Sequence, residues 1–154
     1  MVTTEQIKEL RDRTGISIGQ CKKALEEAGG DMAKAVEALK AQGAAIADKK
    51  SSRTLAAGKV SAYIHSNGNM GSMVEVHSET DFVAKNPEFV ALASDLAMHI
   101  AAMIPTDISE LLEQPFIKDP SLTIKDLVLK HVQKFGERIE IVRFARFDTS
   151  MSFE

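Results

Sequence analysis

The sequence has one cysteine, no tryptophan and one tyrosine among 154 residues. A single thiol, Cys21, excludes an internal disulfide and fits a reducing compartment. Cationic excess is missing too. The 19 Lys and Arg face 22 Asp and Glu, for a net charge of −3, which argues against direct nucleic-acid binding, since that rests on a cationic surface. No run approaches the ~20 apolar residues of a membrane span. The opening MVTTEQIKEL has no apolar core of a signal peptide, so no membrane association is expected and the expected location is cytoplasmic.

Familiar reaction chemistry is also absent. Neither GxxxxGK[ST] nor GxGxxG occurs, and GISIGQCKK misses the first pattern in spacing and lacks a preceding strand. If Asn67 and Gly68 form a turn, His65 lies opposite Met70, and His77 is then about 23 Å away along the strand, at ~3.3 Å per residue. Those two imidazoles cannot share a metal. His99 and His131 fall on separate helices without ligand spacing and read as surface or boundary residues. Cys21 is remote in sequence from every histidine, so a Cys–His nucleophile pair has no local support. No catalytic residue, metal or cofactor is expected, and binding of another protein is favoured over catalysis.

What is present is clear punctuation. Thr3 with Gln6, and Ser17 with Gln20, have the spacing of capping boxes, and Asp31 caps a third helix. Gly15, the Gly29–Gly30 pair and Gly43 read as the three stops. Ile7 and Leu10, then Ile18, Cys21, Leu25 and Ala28, then Met32, Ala35, Val36 and Leu39 supply the inward faces. Residues 1–45 therefore form a three-helix module, and residues 46–57, small and polar without an apolar stripe, read as a linker, with a helical start left open.

Residues 58–148 form a core. GKVSAYIHS and NMGSMVEVHS alternate around SNGN and predict a β-hairpin. Asn86 and Pro87 open a long helix bearing Phe89, Val90, Ala93, Leu96, Ala97, Ile100 and Ala101, which Pro105 ends. A short helix DISELLEQ precedes a loop with Pro115 and Pro120. Thr123 and Asp126 box a further helix, and RIEIVRFARF reads as a third strand. The fold class is α+β: a helical bundle, then a small three-stranded antiparallel sheet with helices on one face, and residues 149–154 as a tail.

Between the hairpin and the long helix lies HSETDFVAKNPEF, where Phe82 and Val83 sit among polar residues with neither helical nor alternating pattern. Phe82 is either a core residue reached through an irregular loop or a ring presented to a partner.

Two motifs carry a family resemblance. RTGISIGQCKKALEEAGGDMAKAVEAL, residues 13–39, resembles the N-terminal module of elongation factor Ts, whose fold is that of a ubiquitin-associated domain. TDFVAKN, residues 80–86, matches that family's central signature at each position. Order and spacing also agree, and the resemblance runs from about Thr3 to Phe147. It departs in lacking a glycine-methionine run after Thr14–Gly15, and a second core half, coiled-coil insertion and terminal module found in longer members. A short form of this kind implies a homodimer, with the second core half supplied by another copy. Cys21, in the N-terminal module, gives no support to a covalent link.

The resemblance implies a guanine-nucleotide exchange factor that binds elongation factor Tu in its GDP-bound and nucleotide-free forms. It implies that Thr80, Asp81, Phe82 and Val83 dislodge magnesium from that GTPase, Phe82 entering between helices and Asp81 touching nearby groups. It also implies a second contact through the turn Thr14, Gly15, Ile16, Ser17 and Ile18, with Lys22 and Lys23 beyond. Ile16 is the expected anchor there, while Ile18 and Cys21 fit the bundle core equally well. A reading from another class is a ubiquitin-associated-type binding module joined to an unrelated α+β domain, which leaves TDFVAKN unexplained.

Overall fold

The computed structural model describes residues 1–150, so the expected tail lies mostly outside the described residues. The chain divides into two compact units. One holds Met1–Ser52 with Val128–Glu137; the other holds Arg53–Leu127 and the chain from Arg138 on.

The first unit begins with α1 (Thr4–Thr14), α2 (Ile18–Glu27) and α3 (Met32–Lys50). Both halves of the Thr3–Gln6 capping box form, Ser17 Oγ accepts from the Gln20 N–H, and Asp31 accepts from the Lys34 N–H. The core is Leu10, Ile16, Cys21, Ala24, Leu25, Ala35 and Leu39. Two expectations are reversed here. Ile18 is 56% exposed, whereas Ile16 is 4% exposed and buried. Ile18 is the first residue of α2 and helical side chains lean toward the N-terminus, so it reaches past the end of the bundle. Ile16, in the turn before it, takes the inward place.

The third helix also runs past Gly43 to Lys50, so the start of the expected linker, residues 46–50, is helical. Gly43 is buried in mid-helix, and a Cβ there would stand 3.1 Å from Gln133 Oε1 and 3.9 Å from the Leu129 carbonyl. Those groups belong to α7 (Ile124–Phe135). Gly43 is thus a close-packing site and not a helix stop. Lys50 Nζ donates to the Gly136 carbonyl at 2.7 Å, closing the same contact at its far end.

The second unit is built on β1 (Ala57–Ile64), β2 (Met70–Ser78) and β5 (Glu140–Asp148), antiparallel with β2 central. One face packs on α5 (Pro87–Met103). Val74 and Val76 are buried there, with Phe89, Leu92, Ala93, Leu96, Ala97 and Ile100 from the helix. Ser72 Oγ donates to the Ala97 carbonyl across that layer. The opposite face carries Val60, Ile64, Met73 and Phe147, which are 58%, 69%, 52% and 74% exposed. Alternation puts these four together: Ile64 faces Gly71, Val60 faces Glu75, and Gly71 faces Phe147 in register. Beside them, Glu75 accepts from Arg143 Nε at 2.5 Å and lies 2.8 Å from His77 Nε2. Arg143 and then His77 hold its carboxyl below the usual carboxylate value.

After α6 (Ile108–Glu113), the expected loop around Pro115 and Pro120 forms a two-stranded ladder, β3 (Pro115–Phe116) with β4 (Asp119–Thr123). Pro115 and Pro120 fit because this ribbon has only edge strands. It is tied down by His99, which is fully buried and not a surface residue. The Ile117 N–H donates to His99 Nδ1 at 3.2 Å, so Nε2 carries the proton and donates to Gln114 Oε1 at 2.9 Å. Gln114 Nε2 in turn donates to the Met103 carbonyl at 3.1 Å.

A neutral His99 is required by this arrangement, since a second ring proton would oppose the Ile117 N–H. Burial pushes its pKa below the ordinary value of 6.5, against an opposing pull from Gln114. The unfolded chain therefore binds a proton first, and stability is full above about pH 6.5 and falls as pH drops below it. Thermal melts of His99→Gln should show a lower melting temperature at pH 7.5 but a flatter decline between pH 7 and about pH 5 than the parent. Parallel declines would assign that pH dependence to other groups.

Candidate functional site

The polar stretch after β2 folds into a single helical turn, α4 (Asp81–Ala84). Thr80 is its N-cap: its Oγ1 accepts from the Val83 N–H at 3.4 Å. Lys85 and Asn86 donate their backbone N–H groups to the carbonyls of Asp81 and Val83, which closes the turn. Asn86 Oδ1 then accepts from the Glu88 N–H at 2.9 Å and starts α5 with Pro87 in its first turn. On the entry side, Ser78 is fully buried and donates its hydroxyl to the Thr80 carbonyl at 3.0 Å.

One turn of helix has one inward side. Val83 and Ala84, each 3% exposed, occupy it, and Phe82 points away, 84% exposed. Thr80 and Asp81 are exposed beside it. The four residues expected to act together thus divide. Thr80 shapes the turn, Val83 anchors it, and Asp81 and Phe82 are presented to solvent. A Phe ring of this size left outward on a turn capped at one end and packed at the other is a preorganised apolar projection.

In the other unit, the turn between α1 and α2 carries the remaining candidate residues. Gly15 ends α1 in the left-handed region at φ 70° and donates its N–H to the Arg11 carbonyl. Thr14 Oγ1 donates to the Leu10 carbonyl at 2.7 Å and accepts from the Ile16 N–H at 3.3 Å. Its hydroxyl also lies 3.8 Å from Cys21 Sγ. Burial pushes the Cys21 thiol above its ordinary pKa, more than Thr14 and Arg11 lower it, so it is a core thiol. Ser17 and Ile18 form the exposed part of the turn, and Lys22 and Lys23 follow it, each paired four residues on with Glu26 and Glu27. Ile16, expected outside, is in the core. Lys130, from α7, lies over this turn, its Cε 3.5 Å from a Cβ placed on Gly15 and its Nζ 3.4 Å from the Arg13 carbonyl. The sequence offered no sign of this neighbour, because it lies more than a hundred residues away. Among the described residues there is no cluster of His, Cys, Asp and Glu able to hold a metal, and no helix long and apolar enough to cross a membrane.

Comparison with known proteins places this arrangement. The family model described as Elongation factor TS matches residues 6–109 and, in an overlapping second match, residues 79–153. The chain belongs to the elongation factor Ts family. It is 41% identical to the elongation factor Ts of Carboxydothermus hydrogenoformans, over 96% of this chain and 89% of that protein. It is 42% identical to that of Acetivibrio thermocellus, over 96% and 90%. Against that of Clostridium kluyveri it is 45% identical over 97% of this chain but only 49% of the longer protein. Elongation factor Ts matches run through both units, which leaves no unrelated domain for the module-plus-unrelated-domain reading.

The division of α4 has a direct check. Phe82→Ala removes an exposed ring and should leave the melting temperature nearly unchanged. Val83→Ala removes buried methyls and should cost about 2 kcal/mol, a drop of roughly 4–8 °C for a chain of this size. Thermal melts giving the opposite ranking would mean that the ring is the anchor.

Proposed function

We propose that this protein is a guanine-nucleotide exchange factor that binds elongation factor Tu in its GDP-bound and nucleotide-free forms, promotes GDP release, and performs no covalent chemistry of its own. The observation that carries the reading is Phe82, held 84% exposed on a capped turn inside a segment shared with the family's signature. Such a GTPase holds GDP through a phosphate loop and a magnesium ion positioned by mobile switch elements. A rigid ring inserted between its helices displaces those elements, so magnesium leaves and the phosphate site loosens. Tighter binding to the nucleotide-free partner and weaker binding of nucleotide are the same coupling free energy. Asp81 contacts polar groups at the edge of that insertion, and Thr80 and Val83 hold the ring in place.

The α1–α2 turn is the second contact. Ile18 replaces Ile16 as its apolar anchor because Ile18 is the exposed one, with Ser17, Lys22 and Lys23 around it. The uncovered face of the sheet serves a third purpose. Val60, Ile64, Met73 and Phe147 form an apolar area opposite α5, and we assign it to a symmetric homodimer, the same patch meeting itself across a two-fold axis. Nothing in this scheme requires nucleic acid or membrane, and the cytoplasm is where it would operate.

Stopped-flow release of fluorescent GDP from elongation factor Tu tests the exchange reading. Phe82→Ala should slow stimulated release by roughly thirty- to a hundredfold, the equivalent of about 2–3 kcal/mol. Asp81→Ala should slow it less, and full activity of Phe82→Ala would remove the wedge from the mechanism. Docking is better tested by Ile18→Asp than by deleting the module, because residues Val128–Glu137 belong to the same compact unit. Titration calorimetry should show weakened binding with an unchanged melt; unaltered affinity would dismiss the second contact. For assembly, light scattering at tens of micromolar should give twice the 16.8 kDa chain mass, and Phe147→Asp should return the single mass. A parent that stays monomeric alone and in complex would end the dimer proposal.

A further inference from the structure

Between Ser78, the last residue of β2, and the N-cap Thr80 lies Glu79. Its side chain is only 13% exposed, and Arg53 Nη1 faces both carboxylate oxygens, at 3.5 and 3.4 Å. Arg53 is the first residue of the core unit and is itself held in place. Its carbonyl accepts from Arg138 Nη1 at 2.8 Å, and Arg138 Nη2 is fixed by Glu140 Oε2 at 2.6 Å. A chain of contacts thus runs from the start of β5 through Arg138 and Arg53 to Glu79, the residue before the N-cap of α4. None of these residues belongs to TDFVAKN.

We infer that Arg53 and Glu79 form a latch that fixes the direction in which Phe82 is presented, which makes both of them positioning residues for nucleotide exchange. The inference rests on the wedge reading above. Two magnitudes separate its effect on function from its effect on stability. An ion pair whose cation is 53% exposed contributes little to folding. Removing Arg53, however, takes away the cation that faces both oxygens of a mostly buried carboxylate and loosens the hold on that position. Glu79 cannot move without carrying Thr80, and a shift of about 1 Å at a working group can cost up to a hundredfold in rate. Ser78 holds the Thr80 carbonyl at 3.0 Å, and the latch adds a second tie one residue before the cap.

The test measures GDP release from elongation factor Tu across a range of factor concentrations, with a thermal melt of each variant. Arg53→Met and Glu79→Gln should each lower the maximal rate about five- to tenfold, leaving the half-saturating concentration within about twofold and the melting temperature close to the parent's. Arg53→Lys should retain most of the rate. The double variant Arg53→Met/Glu79→Gln should be no slower than the slower single one, because both changes open the same latch. Parental maximal rates, losses that multiply in the double variant, or losses that follow the melting temperature would each overturn the latch. Phe82→Ala is run alongside. If it releases GDP at the parental rate, the wedge reading fails; if it is slow while the latch variants are normal, the latch alone fails.

Discussion

The outward presentation of Phe82 depends on the burial of Val83 and Ala84. A four-residue helix cannot hide more than one side, and these two residues take the core side completely. Phe82 is then forced outward, whatever its own preference for burial. The Thr80 cap and the Ser78 hydroxyl stop the turn from rolling to bring the ring in, and the Asn86 cap fixes the point where α5 takes over. The cost of leaving a Phe in water is offset by the packing of α5 on β2, which supplies Val74, Val76, Phe89, Leu92, Leu96 and Ile100 to the core of this unit. An apolar group left outward in this way is what the proposed wedge requires.

The N-terminal unit follows a related logic of small residues admitting neighbours. Gly43 lets α7 approach α3 closely enough for Gln133 to sit where a side chain would otherwise stand. Helix α3 can therefore continue to Lys50 without an amphipathic stripe of the usual breadth, because a short row of Ala35, Leu39 and Gly43 meets its neighbours. The same α7 brings Lys130 over the Gly15 turn.

Much of this was legible in residues whose signals are local. The Thr3–Gln6, Ser17–Gln20 and Thr123–Asp126 pairs, Asp31, and Asn86 with Pro87 all cap the helices that their spacing predicts. The alternating strands formed the predicted antiparallel sheet. What escaped depended on distant chain. Gly43 reads as a stop unless the helix that packs on it is known. Ile16 and Ile18 exchange roles because the helix begins between them, a shift of one or two residues that periodicity does not resolve. His99 looks like a boundary residue until Gln114 and the Ile117 N–H arrive from the β3 side. TDFVAKN marks the turn, but only packing separates its anchor, Val83, from its projection, Phe82.

The central claim is that the binding energy of Phe82 is differential, realised against the nucleotide-free partner and not against the GDP-bound one. Titration calorimetry of the parent and Phe82→Ala against both forms of elongation factor Tu measures this directly. The account predicts a large loss of affinity for the nucleotide-free form and little loss for the GDP-bound form. An equal loss for both would show that the ring is a docking contact only, and would contradict its role in driving nucleotide out.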